Sequence, residues 1–360
     1  MNNFDNFKVL LDHPKASGFV MNKDRKVVRI DNDSVTKILD SDLCPFWFIR
    51  SDSFPNWLES RDADFSRVNA RLLRKSLYNT TSEFERLKYN HSIQITDNYW
   101  FKFDGETIKY KDLIPSKDLY EDTVLYGKTP NNPSKTPNYE IATLGSYDKC
   151  WKKDSDGWWL YKKGSSDKII TEYFCYLVNK ALGFRTAEYK VVNDELIKSK
   201  MFLKPNEVFE HMEGLVGSVD LSTYNYKLIK FLEDSFNVSL NKDYLNILYF
   251  DILVNNYDRH TQNYGLIRDS NTGNVLLLGP NFDYNESRLK QHDEYLDDSL
   301  LNVLKEFNVD FRIPLLTETQ LVGIVNKCSK LGFNFDFYNT MKNLLINYKR
   351  INTKILEAQS

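Results

Sequence analysis

Asp258, Asn263 and Asp283 are the residues of this chain whose types and spacing could do chemistry together. They lie in VNNYDRHTQNYGLIRDSNTGNVLLLGPNFDYNESR, residues 254–288, which begins where an apolar helical pattern ends. Asp258 and Asn263 stand five residues apart across a short loop. The apolar runs YGLI and NVLLL flank Asp269–Gly273 as the arms of a hairpin, and the second arm delivers Asp283. An acid, an amide oxygen five residues on and a second acid after a hairpin form a layout suited to phosphoryl transfer. The first carboxylate would orient an attacking hydroxyl and take its proton. The amide oxygen and the second carboxylate would ligate Mg²⁺, a hard cation that prefers oxygen. Any one of these residues alone reads as an ordinary turn residue. The combination, with Arg259, His260 and the apolar elements between them, carries the reading. Arg259 is expected to pair with a carboxylate in the same loop, and His260 to hold the loop's shape.

These residues need elements to position them. NKDYLNILYFDILVNN (241–256) reads as a buried helix leading into the loop. Upstream, TLGSYDKCWKKDSDGWWLYKKG (143–164) reads as two strands around Asp154–Gly157. A helix follows over 171–184, closed by Gly183, and 187–203 returns to strands. This β-β-α-β-β order resembles the lobe that covers the nucleotide in a kinase. Lys162 or Lys163 ends an apolar strand and could meet the α- and β-phosphates of ATP; alternation places the two on opposite faces. Glu172, at the start of the following helix, could pair with that lysine. The loop Thr143–Lys149 has one glycine, a weak phosphate-loop signal by itself. KLIKFLEDSF, DDSLLNVLKEF, ETQLVGIVNKCSKLG and FYNTMKNLLINYKRINTKILEAQ read as further helices.

The N-terminal part shows no chemical constellation. Residues 15–31 and 97–113 read as hairpins, the second around Asp104-Gly105; 53–61 and 66–79 read as helices. GKTPNNPSKTPN reads as a linker. The expected divisions are an α+β docking or regulatory module at 1–126, a linker at 127–138, a small lobe at 139–222 and a helical large lobe at 223–360.

Composition narrows the function classes. With 48 Lys plus Arg against 50 Asp plus Glu, the chain carries no global pull toward nucleic acid or an anionic membrane. No apolar run approaches the roughly 20 residues that span a bilayer, and the N-terminus lacks a signal-peptide core. The four cysteines contain no C-x-x-C, so free thiols in a reducing cytoplasm are expected. No histidine pair has zinc-ligand spacing.

Asp258-Arg259-His260-x-x-Asn263 followed by Gly279-Pro280-Asn281-Phe282-Asp283 resembles the catalytic core of the HipA-like serine/threonine kinases. TLGSYDKCW resembles that family's phosphate loop, and WLYKKG with TEYFCYLVNKALGF its lysine strand and next helix. The resemblance covers about 143–350. ITDNYWFKF resembles the N-terminal region of a HipA-like subgroup. The order Asp-Arg-His departs from the His-Arg-Asp of ordinary protein kinases, Tyr284-Asn285 follows the metal acid, and no Ala-Pro-Glu occurs.

The resemblance implies an α+β, bilobal kinase-like fold and an ATP- and Mg²⁺-dependent transfer to a protein Ser or Thr. It selects Lys162 over Lys163 and raises Gly145, Ser146 and Lys149 as phosphate contacts. It also implies a toxin–antitoxin setting with a small DNA-binding partner, and self-inactivation by phosphorylation of the phosphate loop. Here that loop offers Thr143 and Ser146, while Ala142 stands where the family's serine would be. Two rivals stay open: a nucleotide-binding pseudokinase acting as a regulatory module, and a kinase for a small molecule such as a lipid or an aminoglycoside.

Overall fold

The computed structural model describes residues 15–62, 67–68, 83–114, 121–128, 147–217, 223–289 and 298–360. The chain forms two compact units. The first is Met1–Lys153 with Ser270–Gly273, and the second is Asp154–Asp269 with Asn274–Ser360.

In the first unit, β1 (Gly18–Asn22) and β2 (Arg25–Asp31) form the hairpin expected at 15–31. β3 (Ser34–Ile38) pairs with β2 across Asn32 and Asp33, both left-handed as a tight hairpin turn requires. β4 (Tyr99–Phe103) pairs antiparallel with β1, giving the order β3-β2-β1-β4. Alternation sends Val20, Val28, Ile30 and Phe101 to one face. There they bury against Phe48 of α1 (Phe46–Arg50) and Phe54 and Trp57 of α2 (Phe54–Glu59). Ser53 caps α2 by accepting from Asn56 N–H. Arg61 forms a buried two-bond pair with Asp97 at 2.7 and 2.8 Å and also donates to two backbone carbonyls. The tetrapeptide Ser270–Gly273 belongs here through Asn22 Nδ2 donating to Ser270 O and Lys23 Nζ to Asn271 Oδ1. The rest of this unit's described elements are α3 (Glu83–Asn90), α4 (Tyr110–Leu113), α5 (Glu121–Tyr126) and β5 (Lys149–Asp154), whose last residue passes into the second unit.

The hairpin expected at 97–113 does not form. Gly105 turns the chain with φ +80, but no return strand follows. Glu106 accepts the Phe103 N–H, Lys102 donates to the Ile108 carbonyl, and Asp112 accepts the Lys109 N–H at 3.0 Å where α4 starts. Local side-chain bonds thus replace the ladder. The helix expected at 66–79, most of the linker at 127–138 and Thr143, Gly145 and Ser146 lie outside the described residues.

In the second unit, β6 (Gly157–Lys163), β8 (Leu196–Lys200) and β7 (Tyr189–Asn193) pair antiparallel in that order. α6 (Ser166–Ala181) lies between β6 and β7 in the chain and ends at Gly183, which is left-handed. β9 (Glu207–His211), β10 (Gly265–Asp269) and β11 (Val275–Leu278) form a second antiparallel sheet, β11-β10-β9. Gly265 allows it: a Cβ there would meet the Glu210 carbonyl oxygen at 2.2 Å. α7 (Glu213–Val216), α8 (Thr223–Phe236), α9 (Asn241–Leu253), α10 (Ser299–Phe307), α11 (Glu318–Ser329) and α12 (Phe337–Gln359) complete it. α12 packs on α9, α10 and α11, and α9 is buried over nearly its whole length. No described helix is long and apolar enough to cross a membrane, and all four cysteines are free and buried.

Candidate active site

Strand alternation decides the lysine. Lys162 turns inward and keeps 12% of its side-chain surface exposed, and its Nζ donates to Glu172 Oε2 at 3.1 Å, Asn285 Oδ1 at 2.9 Å and Asp283 Oδ1. Lys163 points outward, 42% exposed, with Glu195 3.9 Å away. Burial pulls the Lys162 ammonium toward its neutral form, but Asp283 and Glu172 outweigh it, so its pKa rises and the charge is kept. Glu172 pairs with this lysine as expected, though not from the start of its helix. α6 begins at Ser166, so Glu172 lies in its second turn, buried, with Oε1 accepting from Tyr284 N–H at 3.4 Å.

The loop after α9 is assembled by Arg259. Its guanidinium is buried and grips Asp251 through Nε and Nη2 at 3.0 Å each. Its Nη1 donates to the carbonyls of Asn263 at 2.6 Å and Phe282 at 3.1 Å, and the group lies over the Tyr284 ring. One nitrogen therefore ties the Asn263 backbone carbonyl to that of the residue preceding Asp283. The expected partner in the same loop is corrected: it is Asp251, near the end of α9. A helical residue can reach the loop because the chain reverses there, and Asn256 Nδ2 also donates to Asp251 Oδ1.

Asn263 Nδ2 donates to the Asp258 carbonyl at 2.9 Å and lies 3.1 Å from His260 Nε2, while His260 Nδ1 meets Gln262 N–H. His260 is thus bonded within the loop. The Asn263 amide oxygen accepts no hydrogen bond among the described residues. Asp283 is left-handed at φ +62, an unusual backbone for an aspartate. Its N–H donates to Tyr189 Oη at 3.2 Å. Phe282 packs against Phe202 and Phe209, and Asn281 is bonded to Arg185 and Ala187 backbone and to Asn179. Such strain persists only where the surroundings over-determine it. The Tyr189 phenol is pushed well up by burial and by Glu172 and Asp283, so it stays neutral.

Asp258 is open to solvent, and its carboxylate makes no hydrogen bond among the described residues. Partial burial raises its pKa; Asp283 and Glu286 add to this, while His260 and Lys162 oppose it. An accessible carboxylate with raised proton affinity can accept a proton from a hydroxyl.

A single lysine thus faces Glu172 and Asp283, with Asp258 close enough to feel both Lys162 and Asp283. The excess negative charge and the hard oxygens of Asp283 and Asn263 fit Mg²⁺. Among the described residues no three His, Cys, Asp or Glu side chains form a closed cage. Lys149 is the first residue of β5, belongs to the first unit and is buried. Sequence reasoning missed Asp251, Tyr189 and Asn285. Asp251 had a signal: a carboxylate inside the apolar run LNILYFDIL is seldom buried without a partner.

No family model and no curated protein matches the chain. Among solved structures it is similar to the HipA of Shewanella oneidensis MR-1, from a toxin–antitoxin complex with HipB and operator DNA. The TM-score is 0.60 at 12% identity, over 95% of this chain and 99% of that one. It also matches the proinflammatory kinase CtkA of Helicobacter pylori at TM-score 0.39 and 17% identity, over 59% of this chain and 92% of that one. The first match shows that the chain has the HipA-like, kinase-like α+β fold.

Proposed function

We propose that the protein is an ATP- and Mg²⁺-dependent kinase that transfers the γ-phosphoryl group to a Ser or Thr hydroxyl of another protein. The observation that carries this reading is the tie made by Arg259. It holds the backbone of Asn263 and of the residue before Asp283 on one nitrogen, while Lys162 bonds both Asp283 and Glu172. Asp258 orients the acceptor hydroxyl and takes its proton as the new O–P bond forms and the bond from the γ-phosphorus to the bridging oxygen of the leaving ADP breaks. Asn263 and Asp283 would hold Mg²⁺, and the ion would supply charge neutralisation for the phosphates. Lys162 holds the phosphates, and Glu172 and Asn285 keep its ammonium in place. Thr143–Lys149 is the proposed phosphate loop, with Gly145, Ser146 and Lys149 as contacts. The divisions at 139–222 and 223–360 are the proposed nucleotide and acceptor lobes.

The HipA neighbour is described with HipB and operator DNA, which supports an antitoxin-like, DNA-binding partner for this chain; a cytoplasmic setting is proposed with it. The test is transfer of ³²P from labelled ATP to protein acceptors, with and without Mg²⁺, beside calorimetric ATP binding. Asp258→Asn is expected to lose transfer by about 10²–10⁴-fold and to keep ATP binding. Asp283→Asn is expected to weaken Mg²⁺-dependent ATP binding as well. Wild-type transfer by both variants would overturn the assignment; nucleotide binding without any transfer would make the chain a pseudokinase.

A further inference from the structure

Beside the proposed base lies a cation that the chemistry above does not use. Asn256 and Ser287 form an antiparallel bridge, and Arg288 N–H donates to Asn255 O at 3.0 Å, so 287–288 is fastened to the residues leading into Asp258. The exposed Arg288 guanidinium lies over the ring of Tyr257, 4.5 Å from its centroid, and that ring is itself 50% exposed. Arg185, Arg259 and Arg268 of the same unit each hold a carboxylate. Arg288 holds none among the described residues.

We infer that Arg288, stacked on Tyr257, recognises the acceptor: a protein segment with a carboxylate or phosphate side chain within a few residues of the hydroxyl. Contact with the ring restrains an exposed guanidinium, a group whose planar fork suits two-bond recognition of a carboxylate or phosphate. Its attachment to Asn255 and its stacking partner next to Asp258 fix this fork relative to the base. An acceptor chain in extended form, rising about 3.3 Å per residue, would pass the base and this fork a few residues apart. The inference rests on the reading of Asp258 as the residue that meets the acceptor hydroxyl.

The experiment uses full-length protein and Ser-containing peptides that differ only in one flanking residue: Asp, phosphoserine, Ala or Lys. Binding is read by fluorescence anisotropy and transfer by ³²P, for wild type, Arg288→Ala and Arg288→Glu, with thermal melts to show that each variant folds. Wild type is expected to bind and label the Asp or phosphoserine peptides about tenfold better than the Lys peptide, the worth of one charge-assisted pair. Arg288→Ala should level this difference and Arg288→Glu reverse it, with the Ala peptide labelled alike by wild type and Arg288→Ala. The Asp and phosphoserine arms tell the two sources of negative charge apart. Equal handling of acidic and Lys peptides by wild type, or a preference that survives Arg288→Ala, would overturn the inference while leaving the transfer reading intact. Arg288-dependent binding of acidic peptides without transfer in any arm would uphold recognition and overturn the transfer reading.

Discussion

Arg259 spends its three nitrogens on Asp251 and two backbone carbonyls, deep in the protein. Lys162 gives its one nitrogen to three side-chain oxygens, one of them on Asp283, whose side chain is 25% exposed. The first cluster is closed: each partner is held by groups with no other task. The second is open, because a ligand could displace any of its contacts without unfolding a backbone segment. The Arg61–Asp97 pair of the first unit is closed in the same way and surrounded by no chemistry. A buried ion pair by itself therefore says little about function. What separates the Lys162 cluster is unequal charge, one ammonium against two carboxylates, and an amide oxygen nearby with no partner among the described residues.

The contrast makes its largest prediction at Arg259. Arg259→Ala removes the guanidinium paired with the buried Asp251 carboxylate, leaving its charge uncompensated, and should cost about 3–5 kcal/mol in urea unfolding. Replacing both partners, Asp251→Leu with Arg259→Met, should recover most of that stability. Transfer should stay lost, since nothing then ties Asn263 to Phe282. A double variant that regained activity along with stability would reduce Arg259 to a packing residue.

A smaller effect is expected at the open cluster. Lys162→Ala should lower transfer by about 10²-fold or more, the size of one preorganised donor, with a minor change in melting temperature. Lys163→Ala should stay near wild type in both, as an exposed pair contributes about 0–1 kcal/mol. The reverse outcome would place the strand one residue out of register.

The smallest effect concerns Asp258. Its pKa is raised in the folded protein, so ionising it costs stability. That cost is absent below the unfolded-state value near 3.8 and appears as pH rises through the folded value. Asp258→Asn should therefore melt slightly higher than wild type at pH 7, and the gain should vanish toward pH 4. A gain independent of pH would show that charge is not its cause.

Some of this site could be read in one dimension. Asp258, Asn263 and Asp283 were legible because oxygen donors at those spacings around a hairpin suit one kind of chemistry, and the helix before them because its apolar face repeats. The inward lysine was narrowed to two neighbours by the period of a strand. The missing hairpin at 97–113 was illegible because Glu106, Lys102 and Asp112 could bond the backbone locally, and propensity does not say which competitor prevails.

The amino-acid sequence by itself determined the reactive types, their order and the elements that carry them, since periodicity and turn chemistry act over a few residues. Only the tertiary structure decided that Asp251 holds Arg259, that Tyr189 bonds Asp283, and that Arg288 lies on Tyr257. Those partners are separated by 8, 94 and 31 residues. Contacts of that kind follow from how a whole core closes, because burial leaves each buried charge or N–H only the partners that packing brings within reach.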